Sequence, residues 1–449
     1  MNEPSVETAK SRNRNIDEWI AWLLYNGFIL PLLYLAFRIS GLFNDKIRKG
    51  IAGRRALFRQ LEQALAATGK SGPVVLIHAA SMGEYEQARP VIREIRQRRP
   101  DVCMVASVFS PSAYDHILGK SEADVVTYLP FDSPRQMRRF LRLIDPAMLL
   151  IVRYELWPNF IWQARQLGTH IALIDASVQT GSFRRRWPAR LFYRALFKSV
   201  HSVLAISENA AANMRIFLAR TQDVRVFGDT RFDQVVFRAR EKKPEELLPA
   251  SVLQQGPFWI AGSTWPEDEA VVIPAFARLR QQHSLRLVLV PHEPSPAHVQ
   301  QAESRCRELG LRPLRLSQLN QTTEWDVLIV DRVGILANLY AMGQVAFVGG
   351  SFGPGVHSVI EPAAHGLPVL FGPRMRNSPE AVDMLRAGCG FVVRDVSECM
   401  QRLGAWLEQP LRLRETAERV RQFVDRRCGA SENIAEFVTE MLRSNEKKR

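Results

Sequence analysis

Two carboxylates stand where short hydrophobic runs give way to small or polar residues. Glu84 falls in His78-Ala79-Ala80-Ser81-Met82-Gly83-Glu84-Tyr85-Glu86, just before an amphipathic stretch over 88–97. A small-residue turn that delivers a carboxylate to a helix start sets up a general base for a substrate hydroxyl; the same glutamate could equally do no more than complement the helix dipole. Glu155 falls in Arg153-Tyr154-Glu155-Leu156-Trp157-Pro158-Asn159, where Trp157-Pro158 suits the first turn of a following helix. Catalysis there competes with capping of that helix or pairing with Arg153. In Gly228-Asp229-Thr230-Arg231-Phe232-Asp233, Arg231 has the fork to grip a phosphate or carboxylate, and also an adjacent aspartate to pair with.

A third feature is rich in glycine: Val348-Gly349-Gly350-Ser351-Phe352-Gly353-Pro354-Gly355-Val356-His357-Ser358-Val359-Ile360-Glu361-Pro362. It reads as a strand end, a flexible loop and a helix beginning near His357, whose backbone N–H groups would receive a phosphate. Glu361, one turn on, is placed to take the two hydroxyls of a ribose. The stretch is not the G-x-G-x-x-G fingerprint, and the chain has no G-x-x-x-x-G-K-[ST] P-loop and no H-E-x-x-H or other compact metal-ligand cluster, which removes most support for nicotinamide, ATP and metal chemistry. Five widely separated cysteines without a C-x-x-C pair argue against a disulfide framework and suit a reducing cytosolic face.

Such residues need strand exits to hold them. After about residue 72, β-branched runs alternate with helical stretches, as a parallel α/β sheet requires. One series of runs covers 74–78, 102–108, 125–129, 148–152, 170–174, 203–206 and 224–227; the other covers 258–261, 285–290, 327–330, 345–348, 368–371 and 391–393. The charged, proline-bearing stretch between them reads as a linker. The expected organisation is a membrane-associated segment over 1–50, a Rossmann-like domain over 51–237, a linker over 238–252 and a second Rossmann-like domain over 253–449. In this α/β architecture two doubly wound domains face a cleft.

Ahead of them, residues 19–37 carry no charge and are rich in Leu, Ile and aromatics. As a helix they would reach roughly 28 Å, near the hydrocarbon thickness, although Asn26, Gly27 and Pro31 weaken it and a buried core helix is the competing reading. Arg38, Lys46, Arg48, Lys49, Arg54 and Arg55 follow, which suits anionic headgroups and a cytoplasmic body. The net charge of +14 points to anionic partners in general. Nucleic acid is disfavoured, because no aromatic-plus-basic RNA signature or DNA-reading helix motif is present, and the short run Arg184-Arg185-Arg186 reads first as a solvated face.

The motifs HAASMGE, YELWPN, GDTRFD, AGSTWPEDE, LVPHEPSP and FVGGSFGPGVHSVIEPAAHGLPVLFGP stand in one order over about residues 20–395. In this the chain resembles the transferases of 3-deoxy-D-manno-octulosonic acid (Kdo). The resemblance implies an inverting, metal-independent GT-B glycosyltransferase without a cofactor, using CMP-Kdo as donor and an anionic lipid A precursor as acceptor, at the cytoplasmic face of the inner membrane. It assigns the general base to Glu84 and catalytic roles to Glu155, Arg153 and Arg231. Arg231 stands for the family's transition-state lysine, and Arg153 for the first glutamate of E-T-E-L-W-P. Donor contacts fall on Ser81, Gly83, Gly262, Ser263, Pro291, His292, Val333, Gly334, Ile335, Gly349, Gly350, Ser351, His357, Ser358, Val359, Ile360 and Glu361. Two of these depart from the family: His292 replaces the arginine of P-R-H-P, and Ser358 replaces the asparagine of N-P-L-E. The alternatives are a GT-B transferase with another nucleotide sugar or lipid acceptor, and a membrane-attached sugar-nucleotide-binding protein without turnover.

Overall fold

The computed structural model describes residues 16–178, 181–241, 245, 248–319 and 324–447. The chain divides into two compact units, one formed by Met1–Arg231 with Gly429–Arg449 and the other by Phe232–Cys428.

The first unit is built on seven parallel strands: β1 (Val74–Ala79), β2 (Cys103–Val108), β3 (Val125–Tyr128), β4 (Met148–Val152), β5 (His170–Ala176), β6 (Ser202–Ala205) and β7 (Asp223–Val226). They lie in the order β3-β2-β1-β4-β5-β6-β7, so the winding reverses between β1 and β4, and the crevice for a ligand opens at their carboxyl ends. Both faces are covered, which is why the strands read as continuous apolar runs. On one face Val75, Ile77, Met104 and Leu150 pack with Ile92 and Ile95 of the helix Met82–Arg98, and with Ile434, Phe437 and Val438 of the last helix, Ala430–Glu446.

The second unit repeats the plan with β8 (Phe258–Thr264), β9 (Arg286–Pro291), β10 (Pro313–Arg315), β11 (Val327–Ile329), β12 (Val345–Val348), β13 (Val369–Phe371) and β14 (Gly390–Val392), in the order β10-β11-β9-β8-β12-β13-β14. Its reversal lies between β8 and β12. Every expected run is a strand, and one strand was not foreseen: β10 is an edge strand whose three residues, Pro313-Leu314-Arg315, contain no β-branched run.

The units differ from the expected domains at two places. The expected linker over 238–252 begins inside the helix Thr230–Glu241, whose Phe232, Val235 and Val236 pack with Val420 and Phe423; residues 242–244, 246 and 247 of that range lie outside the described residues. The expected C-terminal domain over 253–449 ends early, because the helix Ala430–Glu446 buries its apolar face in the core of the first unit. Arg98–Glu432 (2.9 Å) and Arg99–Glu446 (2.7 Å) pair at its rim.

The apolar N-terminal segment is one helix over Ile16–Phe43, long and apolar enough to cross a membrane. Its weak point is absorbed by a π-turn, Tyr25–Ile29, where the Leu30 N–H donates to the Tyr25 carbonyl; this wider turn accommodates Pro31, which has no N–H to give. One face touches the first unit along much of its length. Glu18 pairs with Arg165 at 2.9 Å, Ala21 and Tyr25 are buried, Asn26 and Asn159 exchange side-chain hydrogen bonds of 2.8 and 3.2 Å, and Phe37 meets Phe109 and Phe131. The opposite face leaves Ile20, Leu24, Phe28, Leu32, Leu35, Ile39 and Leu42 exposed.

Candidate active site

In the first unit, β1 delivers Glu84. Ser81 caps the helix Met82–Arg98, its hydroxyl accepting from the Glu84 N–H at 3.4 Å, and Glu84 Oε2 accepts from the Ala80 N–H at 2.6 Å. Glu84 therefore does complement the helix start. Burial, and then the Glu155 carboxylate, nevertheless push its acid up to about 7 against the opposing pull of the Ala80 and Ser81 amides and Arg153. A carboxyl with such a value is poised to accept a proton near neutrality. Gly83, exposed in the first helical turn, places no side chain beside it.

β4, the neighbouring strand, delivers Arg153 and Glu155. Arg153 adopts a left-handed backbone (φ 62°), with its N–H bonded to the Ile174 carbonyl at 2.8 Å and its Nε donating to Gln87 at 2.9 Å. Its charge favours ionisation of both Glu84 and Asp175. The Glu155 carboxyl is raised by burial and lowered by Arg184. Trp157-Pro158 opens the helix Pro158–Gln166 as expected, and Asn159 is held on Asp132.

Arg231 is paired rather than open: its guanidinium donates to both Asp229 oxygens, at 2.5 and 3.0 Å. Asp175, at the β5 exit with φ 50°, accepts from the Thr230 N–H at 3.0 Å and from its hydroxyl, fixing the start of the Arg231 helix. Burial, and then the Asp229 charge, raise its acid. Asp175 and Arg184 were not among the expected residues. Arg184 lies 4.6 Å over the Tyr154 ring and donates to the Tyr193 hydroxyl at 3.2 Å, so it belongs to this site and not to a solvated face. An arginine run carries no sign of which member turns inward.

In the second unit the expected donor residues gather at four adjacent strand exits: Gly262 and Ser263 on β8, Pro291 and His292 on β9, Val333, Gly334 and Ile335 after β11, and Gly349, Gly350 and Ser351 after β12. Gly349 must be glycine, since a Cβ would lie 2.3 Å from the Ser263 carbonyl oxygen and 2.6 Å from the Thr264 Cα. Gly334 turns with φ 89°. The buried Asp268, not foreseen, ties two of these exits together: its carboxylate accepts from the N–H groups of Trp265 (2.9 Å), Gly350 (2.7 Å) and Phe352 (3.1 Å).

That arrangement corrects the expected phosphate cradle. The amides of Gly350 and Phe352 are taken by Asp268, those of Gly353 and Gly355 by the Gly350 carbonyl, that of Val356 by Arg374, and that of His357 by Gly349. The helix starts later than expected and is short, Ile360–Ala364, with Val359 at its N-cap and Ser358 exposed before it. Those loop amides up to His357 are thus closed to an anion, and the side chains there become the available groups. They include His357 and His292, whose rings stack 4.2 Å apart. Glu361 faces Arg238, which favours its ionisation against burial, and lines a small cavity with Val235, Ala337 and His365.

Each unit is thus a doubly wound parallel sheet whose polar residues collect at the switch point. Solved structures of this plan include the UDP-GlcNAc 2-epimerase of Neisseria meningitidis bound to UDP-GlcNAc (TM-score 0.58, 15% identity, 83% of this chain and 100% of that one). A further UDP-N-acetylglucosamine 2-epimerase matches with TM-score 0.60 and 15% identity over 82% of this chain and 95% of that one. At these identities the likeness concerns the fold, which is of the GT-B type. Residues 52–234 match the family described as 3-Deoxy-D-manno-octulosonic-acid transferase (kdotransferase). A probable mitochondrial 3-deoxy-D-manno-octulosonic acid transferase of Arabidopsis thaliana is 30% identical over 68% of this chain and 70% of its own length; the 3-deoxy-D-manno-octulosonic acid transferase of Aquifex aeolicus (strain VF5) is 28% identical over 73% and 84%. The chain belongs to the 3-deoxy-D-manno-octulosonic acid transferase family and is a glycosyltransferase.

Proposed function

We propose that the protein moves Kdo from CMP-Kdo to a hydroxyl of an anionic lipid A precursor, with inversion and without a metal or other cofactor, in lipopolysaccharide synthesis. The observation that carries this reading is Glu84 at the β1–β4 switch point, its acid raised to about 7 beside Glu155 and Arg153. Ionised Glu84 takes the proton of the acceptor hydroxyl as its oxygen attacks the anomeric carbon. The bond from that carbon to the phosphate oxygen breaks, and CMP leaves with the electron pair. Arg153 holds cationic charge beside the reacting acid, and Arg184 beside Glu155. Release of Arg231 from Asp229 would add a third cation for the leaving phosphate or the donor carboxylate.

The N-terminal helix supports a membrane-bound acceptor. One face is fixed to the first unit and the other is apolar and exposed, so the helix suits one leaflet of the inner membrane, lying in it with the body on the cytoplasmic side. Tyr34, Phe37, Arg38 and Arg55 line a recess beside it, apolar and basic in the combination a phosphorylated glycolipid requires; Arg54, also in its wall and expected to face headgroups, is instead committed to the carbonyls of Gly50, Phe109 and Leu129.

The test is incubation of the purified protein with CMP-Kdo and a tetra-acylated lipid A precursor, with mass spectrometry of the lipid. A Kdo adduct is expected from the native protein with or without EDTA, and none from Glu84→Ala, which should keep its fold and CMP affinity. Native-like turnover in that variant would sink the assignment of the base, and loss of turnover in EDTA that added metal restores would sink the metal-independent reading.

A further inference from the structure

Three rings from three different strand exits of the second unit form one stack. Trp265, at the N-cap of the helix Pro266–Leu279 after β8, lies 5.4 Å from the ring of His292 after β9, with 19° between the planes. His292 in turn lies 4.2 Å from His357 of the glycine loop, at 21°. The Trp265 indole Nε1–H is 3.0 Å from His357 Nε2. The backbone is shaped to admit this imidazole: Gly350 has φ 80°, and a Cβ there would stand 2.8 Å from His357 Cδ2 and 3.0 Å from its Nε2. A hydrogen bond from the His357 N–H to the Gly349 carbonyl (3.1 Å) clamps the same turn.

The indole N–H can only donate, so the His357 nitrogen facing it must present a lone pair. The single proton of the neutral ring then sits on Nδ1. A second proton would have to be placed on Nε2, against the indole hydrogen, in a half-buried ring already held below its ordinary pKa by burial and by His292. Among the described residues Nδ1 has no hydrogen-bond partner in the protein. We infer that Trp265 is a positioning residue that locks His357 as the Nδ1–H tautomer, making it a neutral, one-way hydrogen-bond donor to a phosphoryl oxygen of the nucleotide donor. This rests on reading the second unit as the nucleotide-sugar unit. It also accounts for a glycine loop whose own amides are largely occupied, since the anion is met by an oriented side chain in their place.

The experiment combines the side-chain 15N signature of His357 with CMP calorimetry on the full-length protein at pH 7.5. Native protein should show protonated Nδ1 and lone-pair Nε2, with CMP shifting the Nδ1 resonance. Trp265→Phe should lose the single-tautomer signature and about tenfold in CMP affinity. His357→Asn, whose amide nitrogen falls near the position of Nδ1, should stay within about threefold of native affinity, and His357→Gln, whose amide reaches the Nε2 position, should lose about tenfold. Melting curves identify any variant that fails to fold, and the Asn/Gln contrast stands without Trp265→Phe. An Nε2–H tautomer in the native protein, an unchanged tautomer in Trp265→Phe, an Nδ1 resonance indifferent to bound CMP, or equal affinities for the Asn and Gln variants would each overturn the inference. Absence of CMP binding by the native protein would instead bring down the nucleotide reading of this unit, while the tautomer is still read in the free protein.

Discussion

Glu84 and its two charged neighbours make a prediction whose sign can be fixed in advance. The Glu155 carboxylate raises the Glu84 acid and Arg153 lowers it, around a net value of about 7 where an ordinary glutamate has 4.5. A raised base must lose its proton before it acts, so kcat/KM should climb with pH and level off above about 7. At pH 6 such a base is ionised in about one molecule in ten. Glu155→Gln removes the like charge and keeps the shape. If that charge carries about one pH unit of the rise, the limb moves to about pH 6 and the ionised fraction there becomes about one half, roughly a fivefold gain in rate relative to the plateau. Arg153→Gln removes the opposite charge, so its limb must move to higher pH. The assay is CMP release from CMP-Kdo with the lipid precursor, measured from pH 5 to 9, each variant scaled to its own plateau so that a lower turnover does not obscure the position of the limb. Two limbs that move in the same direction, or that both stay in the native position, would refute the electrostatic reasoning, whatever happens to the absolute rates.

Gly349→Ala should reduce CMP affinity at least tenfold, because the added methyl meets backbone atoms of Ser263 and Thr264 rather than a yielding side chain; calorimetry checks this, and native affinity would contradict the close approach of β8 and β12. Asp268→Asn places an amide N–H where three backbone N–H groups converge, so urea denaturation should show a loss of about 2–4 kcal/mol. Phe28→Asp with Leu32→Asp, on the exposed face of the N-terminal helix, should abolish liposome co-sedimentation in high salt and leave turnover on a detergent-dispersed acceptor within about twofold; retained sedimentation would show that this face does not carry the membrane contact.

The sheets were legible because buried parallel strands are written as unbroken runs of Val, Ile and Leu, and the exits of β1, β4 and β12 could be found as the points where those runs give way to small or polar residues, whereas Gly262 and Ser263 after β8 came only with the family resemblance. What escaped reading has a common physical cause. Asp268 and Asp175 work by accepting backbone N–H groups, and a carboxylate near a helix start looks the same in a sequence whether it binds one amide or ties two strand exits together. Arg184 was hidden among three consecutive arginines. The glycine loop suggested free amides, but its hydrogen bonds close on Asp268 and on itself, which no spacing rule reports. The apolar positions from Ala430 to Leu442 announce a buried helix face without naming the sheet that buries it.

That last helix has a consequence for the order in which the molecule can be made. The first unit needs Ile434, Phe437 and Val438 to cover one face of its sheet, yet these residues are synthesised after the whole second unit. During translation the N-terminal helix and seven strands of the first unit can assemble, but the groove over the helix Met82–Arg98 stays open until the helix Ala430–Glu446 has been made. The step that finishes the unit carrying Glu84 therefore waits for synthesis of the whole second unit, and a substitution at Ile434, Phe437 or Val438 would be felt there, more than 300 residues away in sequence, before it disturbed the second unit that precedes them.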